Sequence, residues 1–130
     1  MNRYKQREQA ILLTFESLFN NDGADELCAM YEQNIEPLGV YAKAVFQGVS
    51  QYAEKFDGEI EKYAKGWRLQ RIPKINVAIL RVAMYEIMFV EDVPSSVAAN
   101  EAVELAKKYS GAEDASFING ILASFIKENK

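Results

Sequence analysis

Apolar residues recur every three or four positions along nearly the whole chain, and nowhere do they alternate with polar ones over the length of a strand. That rhythm belongs to amphipathic helices. Ile11, Leu12, Phe15, Leu18 and Phe19 carry it through a first helix from Arg3 to Phe19, which the breaker cluster Asn20-Asn21-Asp22-Gly23 stops. Leu27, Met30 and Tyr31 mark a short second helix from Ala24 to Gln33; after Pro37 and Gly39, a third is set by Val40, Ala44, Val45, Val49 and Tyr52. Asp57 reads as the N-cap of a short fourth helix carrying Ile60, Tyr63 and Ala64. From Ile72 to Val90, opened by Pro73, the apolar arc is wide enough to imply burial on most sides, which makes this the central helix. A serine of Pro94-Ser95-Ser96 can cap the next, which ends at Ser110-Gly111.

The last apolar run contains Asn119-Gly120, ordinarily a hairpin signal. Its apolar positions, Phe117, Ile118, Ile121, Leu122, Phe125 and Ile126, keep helical spacing through the pair, so the pair lies inside a helix. Glycine there costs about 1 kcal/mol relative to alanine, which points to close approach of another backbone, with Asn119 hydrogen-bonding a neighbouring helix or loop. The pattern as a whole predicts an all-α domain of about seven helices, in two packed helical subdomains spanning about 1–66 and 67–130.

At 130 residues the chain fits one domain with a core that needs no covalent staple. A single cysteine, Cys28, and the absence of histidine leave zinc sites and Ser/His or Cys/His catalysis without their usual groups. The glycines stand singly and form no phosphate loop, and the carboxylates fall as helix-surface charges do. A binding protein without enzymatic activity, metal or cofactor is therefore expected. No apolar run reaches the length of a membrane span, and MNRYKQREQ lacks the apolar core of a secretion signal, so the expectation is a soluble cytoplasmic protein.

Net charge is −4, which argues against general coating of DNA, but the cations are unevenly spread. Arg3, Lys5 and Arg7 crowd the first turns of the first helix with Tyr4 among them, and Arg3 and Arg7 share a helix face. Such a cluster can grip phosphates while an aromatic ring stacks on an unpaired base, although the same charges also suit an ordinary solvated chain end. Phe117, beside the polar stretch Ser110 to Ser116, is a second aromatic that can stack on a base, with a place in the core as the commoner role for such a residue. Trp67 reads instead as an anchor between helical groups. Arg81, Glu86 and Glu101 interrupt apolar faces and require partners, as buried polar structure.

Taken in order, the segments WRLQRIPKINVAILRVAMYEI and VPSSVAANEAVELAKKYSGAEDASFINGIL resemble the C-terminal half of the NusB family of bacterial transcription antitermination factors. REQAILLTFESLF is similar to the family's first helix, and only residues about 20 to 60 are generic. The resemblance implies an all-helical fold of two subdomains. It also implies binding of boxA single-stranded RNA in ribosomal RNA leader transcripts together with NusE, a small-subunit ribosomal protein, in a complex that carries RNA polymerase past terminators. Arg3, Tyr4, Lys5 and Arg7, with Asp114, Ser116 and Phe117 at the entrance to the last helix, would then contact RNA; Phe15, Gln70, Arg71 and Asn76 would meet NusE. Three departures accompany it: fewer N-terminal arginines than the family commonly has, Ser116 where a lysine is usual, and Asn76 where an acid is usual. About three phosphate-contacting cations give a log-log salt slope near −2 on single strands, too shallow for tight binding by this chain alone. The resemblance further admits homodimers, a protein-interaction module with weakened RNA binding, and the RNA-guiding domain of a ribosomal RNA methyltransferase.

Overall fold

Helix α1 (Arg3–Ser17) begins where the Asn2 side chain accepts a hydrogen bond from the Lys5 amide at 2.8 Å, satisfying one of the donors that a helix start leaves free. In the computed structural model, which describes residues 1–129, six further helices follow: α2 (Ala24–Asn34), α3 (Val40–Gln51), α4 (Ala53–Tyr63), α5 (Lys74–Phe89), α6 (Ser95–Tyr109) and α7 (Ala112–Asn129). One 3-10 turn, Leu69–Arg71, precedes α5, and there is no strand among the described residues. The all-α expectation holds, and α7 runs unbroken through Asn119-Gly120.

Helix α5 is the axis. Its faces are buried almost throughout from Asn76 to Ile87, and it packs on α1, α3, α4, α6 and α7. Ile79, Leu80 and Met84 are fully enclosed, joined from the other helices by Ile11, Phe56, Ile60, Leu105, Ile118, Leu122 and Phe125. Each such side chain stabilises the fold by roughly 1.5–3 kcal/mol through apolar burial. A smaller cluster of Leu13, Leu27, Cys28, Tyr31 and Phe46 sits under α2.

Close approach of helices does rest on a glycine, but at Gly48 in α3 rather than at Gly120. A Cβ on Gly48 would fall 2.2–2.5 Å from the Tyr85 ring, whereas one on Gly120 would meet nothing within 4 Å. Asn119 is exposed and makes no side-chain hydrogen bond among the described residues, so neither expectation about that pair is met. Helical spacing locates the pair in a helix without saying which face it occupies.

Two capping expectations also give way. Asp57 lies in the second turn of α4, which starts at Ala53, and its carboxylate takes the Arg81 guanidinium in a two-pronged grip of 2.8 and 2.7 Å. Satisfying a cation on the central helix claims the acid that spacing had assigned to a cap. At α6 no side chain caps the helix start; Pro94 occupies the cap position, and the buried Ser95 hydroxyl has no partner.

Candidate nucleic-acid interface

The Asn2 cap sets Arg3, Tyr4, Lys5 and Arg7 on the first turns of α1, where the sequence reading placed them, but their surroundings differ sharply. Arg3 is half-exposed, its guanidinium carbon 3.8 Å above the centre of the Tyr41 ring and its Nη2 3.7 Å from Asp92. Tyr4 is exposed, and Lys5 lies 3.2 Å from Glu36. Together Arg3 and Tyr4 line a groove of about 390 Å³ against Asp92, Pro94 and Val97 at the start of α6.

Arg7 departs from the expectation. It is only 4% exposed, and its Nε donates to Glu86 at 2.7 Å while Glu101 stands 3.9 Å away. Glu86, fully buried in α5, also accepts from the Tyr41 hydroxyl. Burial alone would lower the Arg7 pKa, but the hydrogen bond and charge of Glu86, with Tyr41 and Glu101 adding, raise it. Burial and then Glu86 push the Tyr41 phenol up, so it stays protonated. Arg7 is thus the cation of an internal network joining α1, α3, α5 and α6, and only its edge reaches the floor of the groove that Arg3 and Tyr4 line. A basic residue three or four positions from an apolar face is as well placed to turn inward as outward.

A second clamp brings the end of α6 onto α1. Glu8 accepts from Lys108 Nζ at 2.6 Å and from the Tyr109 hydroxyl at 2.5 Å. Burial favours a protonated Glu8, but these two hydrogen bonds outweigh it and hold the carboxyl below the usual carboxylate range. Because Ser110-Gly111 alone separates this clamp from α7, the entrance of the last helix adjoins the second turn of the first. Gly111 makes the sharp turn with φ +119°, a region glycine enters without steric cost.

Helix α7 starts at Ala112, earlier than the apolar pattern implied, so Asp114, Ser116 and Phe117 sit on its opening turns instead of in a loop. Asp114 suits the positive end of the helix. Ser116 and Phe117 line a groove of about 490 Å³ with Lys65, Trp67, Gly120 and Ser124. Trp67 is not a buried anchor: it is 55% exposed and meets Phe117 edge to face, ring centres 6.3 Å apart. Lys65 (φ +46°) and Gly66 (φ +94°) turn the chain at the end of α4 and deliver the indole to this surface. Lys65, Arg68 and Arg71 are exposed and form no ion pair among the described residues. Sequence reasoning read Trp67 as structural, although Lys65-Gly66-Trp67-Arg68 carries the other signal: an aromatic between cations, after a flexible residue.

The residues expected to meet a protein partner divide in the same way. Gln70 and Arg71 are exposed at the turn before α5, and Phe15 packs edge-on against the exposed Phe19 at 4.9 Å, with Lys74 Nζ 5.8 Å from the Phe19 ring centre. Asn76 is excluded from that surface, being fully buried: its Oδ1 accepts from the Ser110 hydroxyl at 2.8 Å and its Nδ2 has no partner among the described residues. It ties α5 to the α6–α7 turn. Position 76 faces inward because it is one turn into a helix buried on nearly every side.

Among the described residues no group of three or more acidic, Cys or His side chains is placed to hold a metal, and no helix is long and apolar enough to cross a membrane. Cys28 is buried, and burial pushes its thiol pKa up, which leaves it unreactive.

The NusB family pattern matches residues 4–127. The transcription antitermination protein NusB of Clostridium novyi (strain NT) is 41% identical over 132 residues, covering 98% of this chain and 99% of that protein. That of Acetivibrio thermocellus is 45% identical over 131 residues, covering 98% and 90%. Among solved structures, NusB of T. maritima superposes with a TM-score of 0.85 at 28% identity, over 99% of this chain and 93% of the other. A NusB chain in a complex of NusB and NusE with double-stranded RNA gives a TM-score of 0.83 at 25% identity, over 98% and 99%.

Proposed function

The chain belongs to the NusB family of antitermination factors, and from that premise we propose that it binds boxA single-stranded RNA of ribosomal RNA leader transcripts jointly with NusE, keeping RNA polymerase in a terminator-resistant state. The observation that carries the RNA part is the Trp67–Phe117 groove. The exposed Trp67 ring meets the half-buried Phe117 ring at an open groove lined by the exposed Lys65, with exposed Arg68 next to Trp67 in the chain. Single strands are held by such surfaces, bases on rings and phosphates on cations. Gly120 fits the same reading: no neighbour in the free protein needs its missing side chain, yet it lines this groove and leaves room for a base.

Ser116 lines the groove and Asp114 lies one turn before Phe117 on α7, while Arg3, Tyr4 and Lys5, beyond the Glu8–Lys108 clamp, offer a second RNA-contacting patch in this proposal. Arg3 and Lys5 are each balanced by a carboxylate, which shifts most of the grip to the aromatic groove and explains why joint binding with NusE is needed. Phe15, Phe19, Gln70, Arg71 and Lys74 form the NusE-facing surface in this proposal; Asn76 supports it from beneath. The small-subunit protein supplies the remaining RNA contacts.

Trp67 is the chain's sole tryptophan, so its emission reports directly on stacking. Titration of a boxA RNA into the protein with NusE present should quench that emission. Trp67→Phe should keep most of the affinity, while Trp67→Ala and Phe117→Ala should each weaken it by about 5- to 150-fold, from roughly 1–3 kcal/mol per stacked base. Unchanged emission at saturating RNA, with full affinity in both alanine variants, would sink the assignment.

A further inference from the structure

From Glu8 to Ala42 the chain has seven carboxylates and no lysine or arginine. This acidic tract folds as the outer part of α1, all of α2 and the loop beyond it, and it encloses a groove of about 460 Å³ on the opposite chemical footing from the RNA surface. Its floor is apolar, made by Leu12, Leu13, Phe15, Leu27, Met30 and Tyr31, with Ile35 at one end. Met30 and Ile35 are large apolar residues left in water, 48% and 68% exposed. Glu16 and Glu36 line its edge. Glu36 is held by Tyr31, Gln9 and Lys5, but Glu16, Glu26 and Glu32 are exposed and form no ion pair among the described residues.

We propose that the α1–α2 groove, which shares only Phe15 with the NusE-facing surface proposed above, is a docking site for a basic amphipathic helix of a further protein partner. The charge around it selects the occupant. A nucleic acid would be repelled by this rim, and a second copy of the chain would bring the same carboxylates against themselves. A helix with apolar side chains at i, i+3 or i+4 and i+7 fills an apolar trough with about three anchors, while lysines or arginines along its flanks meet Glu16 on the rim and reach toward Glu26 and Glu32, exposed on the helix that carries Met30. The flexible thioether of Met30 adapts to the anchor it meets.

The test uses methyl NMR of the full chain with two synthetic helical peptides of identical leucine pattern, one carrying lysine and one glutamate at every polar position. The lysine peptide should shift the Leu12, Leu27, Met30 and Ile35 methyls. Its affinity should fall at least tenfold in a Met30→Glu, Ile35→Glu variant and several-fold in Glu16→Lys, Glu32→Lys, with the glutamate peptide inert throughout. These positions are on the surface, and unchanged circular dichroism and RNA binding would show the variants folded, so failure here leaves the RNA reading untouched. Three results would overturn the proposal: no methyl shifts with the lysine peptide, equal binding of both peptides, or sedimentation showing that the protein alone dimerises through Ile35.

Discussion

Replacing Arg7 with alanine should damage the fold before it damages RNA binding. The guanidinium occupies a site 4% exposed, and its removal strands the carboxylate of Glu86, which has no contact with water. Breaking a buried pair from one side costs about 3–5 kcal/mol. Glu86 keeps the Tyr41 hydroxyl as a donor, which places the expected loss near the lower bound, at about 3 kcal/mol. Since domains hold only about 5–15 kcal/mol in total, that is a large fraction. Urea unfolding followed by circular dichroism should show a lower midpoint with an unchanged slope. Removing both charges, as Arg7→Met with Glu86→Leu, should restore stability to within about 1 kcal/mol of the parent, because no unpaired ion remains. RNA affinity per folded molecule should stay within about twofold. A stability loss below about 1 kcal/mol accompanied by a tenfold loss of RNA affinity would place Arg7 on the transcript and refute the argument.

Freeing Arg3 from its carboxylate by Asp92→Asn should raise RNA affinity by about two- to fivefold at low salt, the scale of an exposed ion pair, and the gain should vanish in an Arg3→Ala background or at high salt. Gly48→Ala should destabilise by about 1–3 kcal/mol by driving a methyl into the Tyr85 ring, whereas Gly120→Ala should stabilise the free protein by about 0.5–1 kcal/mol while weakening RNA binding; thermal melts and RNA titrations separate the two. Because the folded-state pKa of Glu8 is lowered, its contribution is present above the unfolded value of about 4.3 and is lost as pH falls through the folded value. Glu8→Gln should therefore flatten the drop in urea midpoint below about pH 4.5 relative to the parent.

The helices were legible because a 3.6-residue apolar rhythm is a local property, and the width of the arc in α5 identified the central element without any tertiary information. What local spacing does not hold is the direction in which a polar side chain turns. Arg7 and Asn76 look like surface groups along the chain, and both point inward to partners on helices distant in sequence, Glu86 and Ser110. Asp57 met a helix-cap rule and was claimed by Arg81 instead. Trp67 erred in the other direction, since a large aromatic is usually buried; only the two left-handed residues before it reveal that the chain swings outward there. Tyr4 and Ser116 are exposed near the starts of α1 and α7, positions that follow directly from where those helices begin.

The Glu8 clamp also has a consequence in time. Its donors arrive 100 and 101 positions after the acceptor in the order of synthesis. A ribosome must therefore pass Tyr109 before Glu8, in the second turn of the molecule, acquires the donors that hold its charge. Shorter nascent fragments already hold the partners of Lys5 and, at Tyr41, of Arg3, but not the clamp that fastens the end of α6 to α1.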